Sequence, residues 1–330
     1  MTDFHFGNLL PEMVLDAVSA QGWRPTGVLM PLNSYENRVY QIGIDDAEPL
    51  VVKFYRPERW SLDTIRDEHR FLQTLAAAEV PVVLPLPLPV HLGDCATIGQ
   101  WDNLYYTVYP KFRGKERDEL TNDDRRWLGR LLGRLHNIGA HFTAPHRLRL
   151  NPQTYGTASL DFILRQPFLP EDLRAAIATL LQQALDFVTP HFPDDLAAIP
   201  LHGDCHHGNV LWNHDGPHLV DFDDMVVAAP VQDVWMLFSG DATERAAQQE
   251  AFFTGYELFR PFDRASLRLA EPLRTLRMIR HAAWIGQRYH EPAFQRAFPY
   301  YEQRRYWEEF LLAIKEQIAV LQELQWSSAH

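Results

Sequence analysis

The period of the hydrophobic pattern changes once along this chain, and that change limits the folds open to it. Up to about residue 110, apolar and polar residues mostly alternate, as they do when one face of a sheet is buried. Residues 27–32, 38–44 and 50–55 read as three paired strands. Asp45, Asp46 and Pro49 supply the turn between the second and third. A short helix ending near Gly22 precedes them. A longer helix over 61–79 follows, with Ile65, Leu72, Leu75 and Ala76 at helical spacing and Ser61 as N-cap. Four prolines within residues 80–90 make that stretch a loop. Residues 101–109 alternate again, and 110–114 read as a linker. Beyond it the period is helical. Residues 123–138 carry Trp127, Leu128, Leu131, Leu132 and Leu135 on one stripe, with Gly139 as C-cap. Residues 171–188 repeat the pattern, and further helices are expected near 230–259, 266–290 and 302–325. The pattern predicts an α+β fold, with a small antiparallel β-rich N-lobe over 1–110 and a mainly helical C-lobe over 111–330.

A chain of 330 residues, 46% hydrophobic and 22% charged, can bury the cores of two such lobes. Its net charge of −12 offers no positive field for nucleic acid or anionic lipid. Residues 1–11 include Asp3 and lack the basic and apolar regions of a secretory signal. The longest apolar run, 80–90, is too short and too broken by proline to span a bilayer. Cys95 and Cys205 are the only cysteines, which suits reduced thiols in the cytoplasm.

One β-like island interrupts the helical half, and the polar chemistry gathers there. Residues 202–209 read H-G-D-C-H-H-G-N, and Asp221, Phe222, Asp223 and Asp224 follow twelve residues after Asn209. Between them, Asp215-Gly216 separates two apolar runs, a hairpin signal. Phosphoryl transfer needs a carboxylate to receive the acceptor's proton and oxygen ligands to hold Mg²⁺ against the phosphates of ATP. Asp204 and Asn209 have the kinase catalytic-loop spacing H-x-D-x₄-N, and Asp221 on the far hairpin strand would face Asn209 and close the metal site. A surface loop rich in His and Asp is the plainer alternative; two carboxylates and an amide at these spacings argue against it. Upstream, Lys53 ends an alternating strand after Val51 and Val52, as the phosphate-binding lysine of protein kinases does. Glu68, fifteen residues later on the following helix, is placed to pair with it. Alone, each would read as solvated; the order strand, Lys, helix, Glu gives them a joint role. No G-x₄-G-K-[ST] occurs, which disfavours a P-loop enzyme.

These residues resemble the aminoglycoside phosphotransferase/choline kinase superfamily, whose signature H-G-D-x₄-N stands at 202–209. Within it, residues 31–40 (PLNSYENRVY), 51–60 (VVKFYRPERW), 128–136 (LGRLLGRLH) and 230–237 (PVQDVWML) are similar to the bacterial stress response kinase A family, over about residues 10–325. The resemblance implies a protein-kinase-like two-lobed fold and a monomeric, cytoplasmic Ser/Thr protein kinase that counters stress-triggered death. Small-molecule hydroxyl kinases of the aminoglycoside or choline type are the alternative. Carried over by position, Asp204 is the proton acceptor, Asn209 and Asp221 bind Mg²⁺, and Ser34 contacts ATP. The loop 33–37 has no glycine, so Asn33 and Ser34 side chains must substitute for the backbone approach of a Gly-rich loop. Residues 109–112 would form the hinge that pairs with adenine, with Val39, Val51 and Leu211 about the base. Asp233 either braces the catalytic loop from below or is a helix N-terminal charge. Asp223 is a supporting group or a second-metal contact, and Asp224 a solvated acid.

His206, His207, His214 and His218 read as polar loop residues, and Cys205 as structural. A dinuclear metallophosphoesterase would need an upstream D-x-H and a downstream G-N-H-[DE], and neither occurs. A scaffold without catalysis would not need Lys53, Glu68, Asp204, Asn209 and Asp221 together. Residues 277–307 carry six arginines against two acids, with Arg277, Arg280 and Arg288 on one helical face. That excess favours a neutral or acidic acceptor, such as a protein segment, over a polycationic aminoglycoside.

Overall fold

The computed structural model describes Phe6 and residues 9–328, so most of the segment read for a secretory signal lies outside the described residues. The chain divides into two units by the density of its internal contacts: Met1–Arg147 with Asp204–Met225 and Ser239–Pro261, and Leu148–Gly203 with Val226–Phe238 and Phe262–His330. The units do not follow the change of period near residue 110, because the first also takes in helices and the hairpin of the catalytic loop.

The first unit is built on a five-stranded antiparallel sheet of β1 (Pro25–Pro31), β2 (Arg38–Ile44), β3 (Leu50–Phe54), β4 (Gly99–Trp101) and β5 (Leu104–Pro110), in the order β1-β2-β3-β5-β4. Period-two alternation sends Ile42, Ile44, Leu50, Val52, Phe54, Tyr106 and Val108 to one face. There they bury against α1 (Pro11–Ser19) through Val14, Ala17 and Val18. The opposite face carries Lys53. The single strand expected over 101–109 is the end of a hairpin, folded back at Asp102, whose φ of 49° permits the tight reversal. On the Lys53 side α2 (Leu62–Ala77) packs Ile65 with Tyr55 and Ile98. Ser61 accepts from the Thr64 amide as N-cap (3.2 Å), a bond worth about 1 kcal/mol.

Helix α3 (Asn122–Gly139) starts from a capping box between Thr121 and Asp124 and ends on Ala140 in a right-handed conformation, so Gly139 is not a left-handed cap. Leu128, Leu131, Leu132 and Leu135 are buried as expected, but Trp127 is 43% exposed, its ring lying against the hairpin glycine Gly216. The glycines of α3 serve packing. A Cβ on Gly129 or Gly133 would strike the carbonyls of Phe252 or Tyr256 on α6 (Ala242–Tyr256), and one on Gly255 would strike that of Arg126. Strands β7 (Val210–Asn213) and β8 (Gly216–Leu219) complete this unit as a two-residue hairpin, with Asn213 Oδ1 accepting from Asp215 N (2.8 Å).

The second unit holds α4 (Ala158–Ile163), α5 (Glu171–Val188), α7 (Ala270–Arg288), α8 (Pro292–Ala297) and α9 (Arg304–Ser328). Arg304 fixes the start of α9 to α5 by two bonds to Asp172 (3.0 and 2.8 Å). Two three-residue strands, β6 (Ile199–Leu201) and β9 (Val226–Ala228), pair antiparallel and were not evident in the sequence. The helix expected over 230–259 is broken. Pro230–Asp233 and Trp235–Leu237 are 3₁₀ turns, and α6 begins only after its cap Asp241.

Candidate active site

Strand register sets the first part of the site. Because Val52 and Phe54 point into the core, Lys53 points out of the opposite face, level with Val39 on β2 and Thr107 on β5. Lys53 is nonetheless 5% exposed. Its Nζ lies 3.4 Å from Glu68 Oε1 and 3.5 Å from Asp221 Oδ1 and Asp223 Oδ1. Burial alone would depress its pKa, but Glu68 and Asp223 outweigh that and hold the ammonium charged, well above its ordinary value. Burial pushes the Glu68 carboxyl up, opposed by Lys53 and by Arg147. Arg147 is itself buried, donating to Glu68 Oε2 (2.8 Å) and to the Asp223 carbonyl (2.7 Å). Behind Glu68 runs a buried chain. Tyr55 Oη donates to Glu68 Oε1 (3.4 Å) and meets His69 Nε2 (2.8 Å), while His69 Nδ1 meets Thr97 Oγ1 (2.6 Å).

The second part is the loop before the hairpin. Asn209 Nδ2 donates to the Asp204 carbonyl (2.9 Å), which fixes the amide and leaves Oδ1 as an oxygen donor. Asn209 and Asp221 do not face each other within the strand ladder as expected. The ladder closes at Val210 and Leu219, and Val220 N then donates to the Asn209 carbonyl (3.1 Å), with Asp221 the next residue. Asp221 has φ 59° and ψ 68°, a left-handed conformation costly for a non-glycine residue, and its carboxylate is half exposed. One carboxylate and one amide oxygen, hard donors without thiol or imidazole, fit a Mg²⁺ ion that takes its remaining ligands from phosphate and water. Among the described residues no cluster of three or more His, Cys, Asp or Glu side chains forms a closed metal cage.

Ser34 lies in the β1–β2 loop, where its Oγ accepts from Asn37 N (3.4 Å). No hydrogen bond joins it to Lys53, Glu68, Asp204, Asn209 or Asp221 among the described residues. Its loop is nevertheless anchored. The carbonyls of Tyr35 and Glu36 accept from Arg56 (3.1 and 2.9 Å), and Asn37 Oδ1 accepts from Arg56 N (3.1 Å). The Glu36 carboxylate lies 3.5 Å from Arg59 Nε; Arg59 also pairs with Asp223 and with Asp224 (2.6 Å). Arg59 therefore ties this loop to the segment after Asp221. Burial would raise the Asp223 carboxyl, yet Arg59, Lys53 and Arg147 hold it far below the carboxylate range. Neither Arg59 nor Arg147 was singled out from the sequence. The only signal for Arg59 was its place in the family-like stretch 51–60, and Arg147 had none. Asp224 is ion-paired rather than simply solvated.

Within the second unit, Asp233 is buried and its carboxylate accepts from His202 N (2.8 Å) and Gly203 N (2.7 Å), immediately before Asp204 in the chain. Gln232 Nε2 donates to the Gly203 carbonyl (2.7 Å). Of the two roles open to Asp233 the brace is the one observed: it closes a 3₁₀ turn and starts no helix. Gly203, at φ 89°, makes the bend that leads into Asp204. The arginine-rich segment is partly engaged by its own surroundings. Arg288 is buried and donates to the Trp284 carbonyl (3.3 Å), Arg304 and Arg305 pair with Glu308 and Glu309, and Arg280 stacks on Tyr155 at 3.9 Å. Ion pairs thus offset two of the six arginine charges, those of Arg304 and Arg305, and the positive excess that favours an acidic acceptor is reduced by that much.

The model of the phosphotransferase enzyme family matches residues 28–270. Stress response kinase A of Escherichia coli K12 is 38% identical over 320 residues, covering 97% of this chain and 96% of that protein. The serine/threonine protein kinase RdoA of Salmonella typhimurium LT2 is 39% identical over 329 residues, with the same coverage. Among solved structures, an amicoumacin kinase superposes with a TM-score of 0.67 at 19% identity, covering 91% of this chain and 92% of that one. A microcompartment-associated aminopropanol kinase superposes with 0.66 at 19%, covering 94% and 98%. The fold is thus the α+β, two-lobed, kinase-like one, with an antiparallel β-rich N-lobe and a helical C-lobe. No helix among the described residues is long and apolar enough to cross a membrane.

Proposed function

The chain belongs to the phosphotransferase enzyme family, and from that premise we propose that it is a Ser/Thr protein kinase that transfers the γ-phosphoryl group of Mg-ATP. The observation that carries the nucleotide site is the stretch of the Lys53 face of the sheet that stays partly uncovered, at Met30, Val39 and Val51. The row Met30, Gln41, Val51 and Tyr109 lies beside the row Val39, Lys53 and Thr107, with Met30 52% exposed and Val39 and Val51 half-buried. Unburied apolar side chains next to a fixed ammonium suit a purine base followed by phosphates. Lys53, aimed by Glu68, would neutralise phosphate oxygens. Mg²⁺, when bound, supplies charge against the β- and γ-phosphates, and Asn209 Oδ1 and the Asp221 carboxylate would hold it. Asp204 takes the proton of the acceptor hydroxyl as its oxygen bonds to the γ-phosphorus; the bond to the bridging oxygen breaks and ADP leaves with that electron pair. Ser34 would meet the phosphates from the β1–β2 loop.

Identity of 38–39% over nearly the full length to a stress response kinase A and to a serine/threonine protein kinase supports a protein acceptor; a cytoplasmic location and a monomer are part of the same proposal. The lobe boundary near residue 110 belongs to the same reading. A small-molecule hydroxyl kinase remains the second reading, favoured by the internal pairing of Arg304 and Arg305. The test incubates the protein with Mg-ATP labelled at the γ-phosphate, offering the protein itself, a generic Ser/Thr protein and small alcohols in parallel. Transfer to protein, lost by about 10²–10⁴-fold in Asp204→Asn with ATP affinity retained, is the expected result. Transfer to alcohols alone supports the second reading, and full activity in Asp204→Asn removes Asp204 as the base.

A further inference from the structure

His206 lies two residues after the base; its ring is hydrogen-bonded at one end and faces the Asp204 carboxylate at the other. Gly208 N donates to His206 Nδ1 (3.1 Å), closing the cap of the 3₁₀ turn His207–Asn209. An amide N–H can only donate, so Nδ1 is the acceptor and the ring proton sits on Nε2. That nitrogen lies 3.5 Å from Asp204 Oδ2. The backbone reinforces the arrangement: His206 N donates to the Asp204 carbonyl (3.1 Å), and Asn209 N to the His206 carbonyl (2.9 Å). Gly208 completes it, since a Cβ there would lie 2.9 Å from His206 Cε1 and 3.1 Å from Nδ1. The residue at 208 must therefore lack a side chain for the ring to lie where it does. The His206 side chain is 40% exposed, so it fills no core, and packing alone does not explain its placement.

We propose that His206 is a positioning residue for Asp204, its Nε2–H holding Oδ2 so that Oδ1 takes the acceptor's proton. The proposal rests on the phosphotransferase reading. Hydrogen bonds of this kind are commonly long before substrate arrives and shorten in the working complex. Misplacing a base by about 1 Å can cost about 10²-fold in rate. A Gln side chain can present an N–H donor near the position of Nε2; a Leu side chain cannot.

The experiment compares His206→Leu and His206→Gln in the same Mg-ATP transfer assay, alongside ATP affinity and thermal melting. The expected result is a kcat lowered about 10–100-fold in His206→Leu with KM for ATP within about twofold, and most of that loss recovered in His206→Gln. Unchanged kcat in His206→Leu overturns the proposal. So does equal loss in both variants accompanied by weakened ATP binding, which would mark a merely structural residue. Long-range ¹H–¹⁵N correlation spectra of histidine-labelled protein decide the contact without an acceptor. His206, assigned by its loss in His206→Leu, should be the Nε2–H tautomer, with its Nε2 resonance displaced in Asp204→Asn; an Nδ1–H tautomer overturns the proposal. Absence of any transfer by the unmodified protein overturns the phosphotransferase reading instead, and the tautomer still tests the His206–Asp204 contact.

Discussion

Lys53 shows how much a single charge in this fold depends on its neighbours. It sits among three carboxylates, and the two buried ones, Glu68 and Asp223, are themselves shared with Arg147 and Arg59. A buried charge left without its partner is costly, so Asp223→Asn should lower unfolding free energy by about 3 kcal/mol in urea titration. The same change at Asp224, whose side chain is 37% exposed, should cost no more than about 1 kcal/mol. Equal effects at the two positions would mean that Asp223 is not the keystone of the network. Asp223→Asn should also weaken ATP binding, since it loosens both Lys53 and the Arg59 link to the Ser34 loop. The metal ligands make a different demand. Asp221→Ala should raise the Mg²⁺ concentration needed for half-maximal transfer more than Asn209→Ala does, because a full charge binds a hard cation more strongly than an amide oxygen. The reverse order in a Mg²⁺ titration would reassign the ligands.

Among the elements, the packing of α3 on α6 yields the clearest sign. Replacing an exposed helical glycine by alanine ordinarily stabilises by up to about 1 kcal/mol, because the unfolded chain loses freedom. At Gly133 the added methyl would lie 2.5 Å from the Tyr256 carbonyl oxygen, so the sign reverses. Gly133→Ala should destabilise by about 1–3 kcal/mol in a denaturant titration; a stabilised protein would show that the helices can part cheaply. No periodic pattern announces such a glycine, since its reason lies on another element. The elements with a clear period were legible. α5 matches its expected 171–188, and β2 its 38–44. β6 and β9 were hidden because three residues are too few to display alternation. The 3₁₀ turns at 230–237 read as helix because their apolar spacing is close to helical. In the site, Lys53 and Glu68 were legible as strand-end lysine and helix glutamate. Arg59 and Arg147 were not, because an arginine's value comes from the carboxylates it reaches.

For the whole molecule, the buried groups make stability depend on pH from both sides. On the acid side, burial first, then the Lys53 and Arg147 charges, push His69 down to about 3 from its usual value near 6.5. The folded chain keeps His69 neutral where the unfolded chain protonates it. Between about pH 6.5 and 3 the unfolded state binds the extra proton, and stability falls as pH falls, by up to about 1.4 kcal/mol per pH unit. Asp223 adds a second acid step. Its folded pKa is depressed, so its contribution is full above about pH 4 and is lost as pH falls further. On the alkaline side Lys53 is raised, so its contribution is present below about pH 10.4 and is lost as pH rises through its folded pKa. His69→Gln removes the first acid step alone. Its side chain can still meet Tyr55 or Thr97, so the variant should fold. Urea unfolding at pH 7.5 and 5.5 should then show the unmodified protein losing about 1 kcal/mol more than His69→Gln over that interval. Parallel losses in the two proteins would mean that His69 is not held neutral, and that the buried chain behind Glu68 admits a proton.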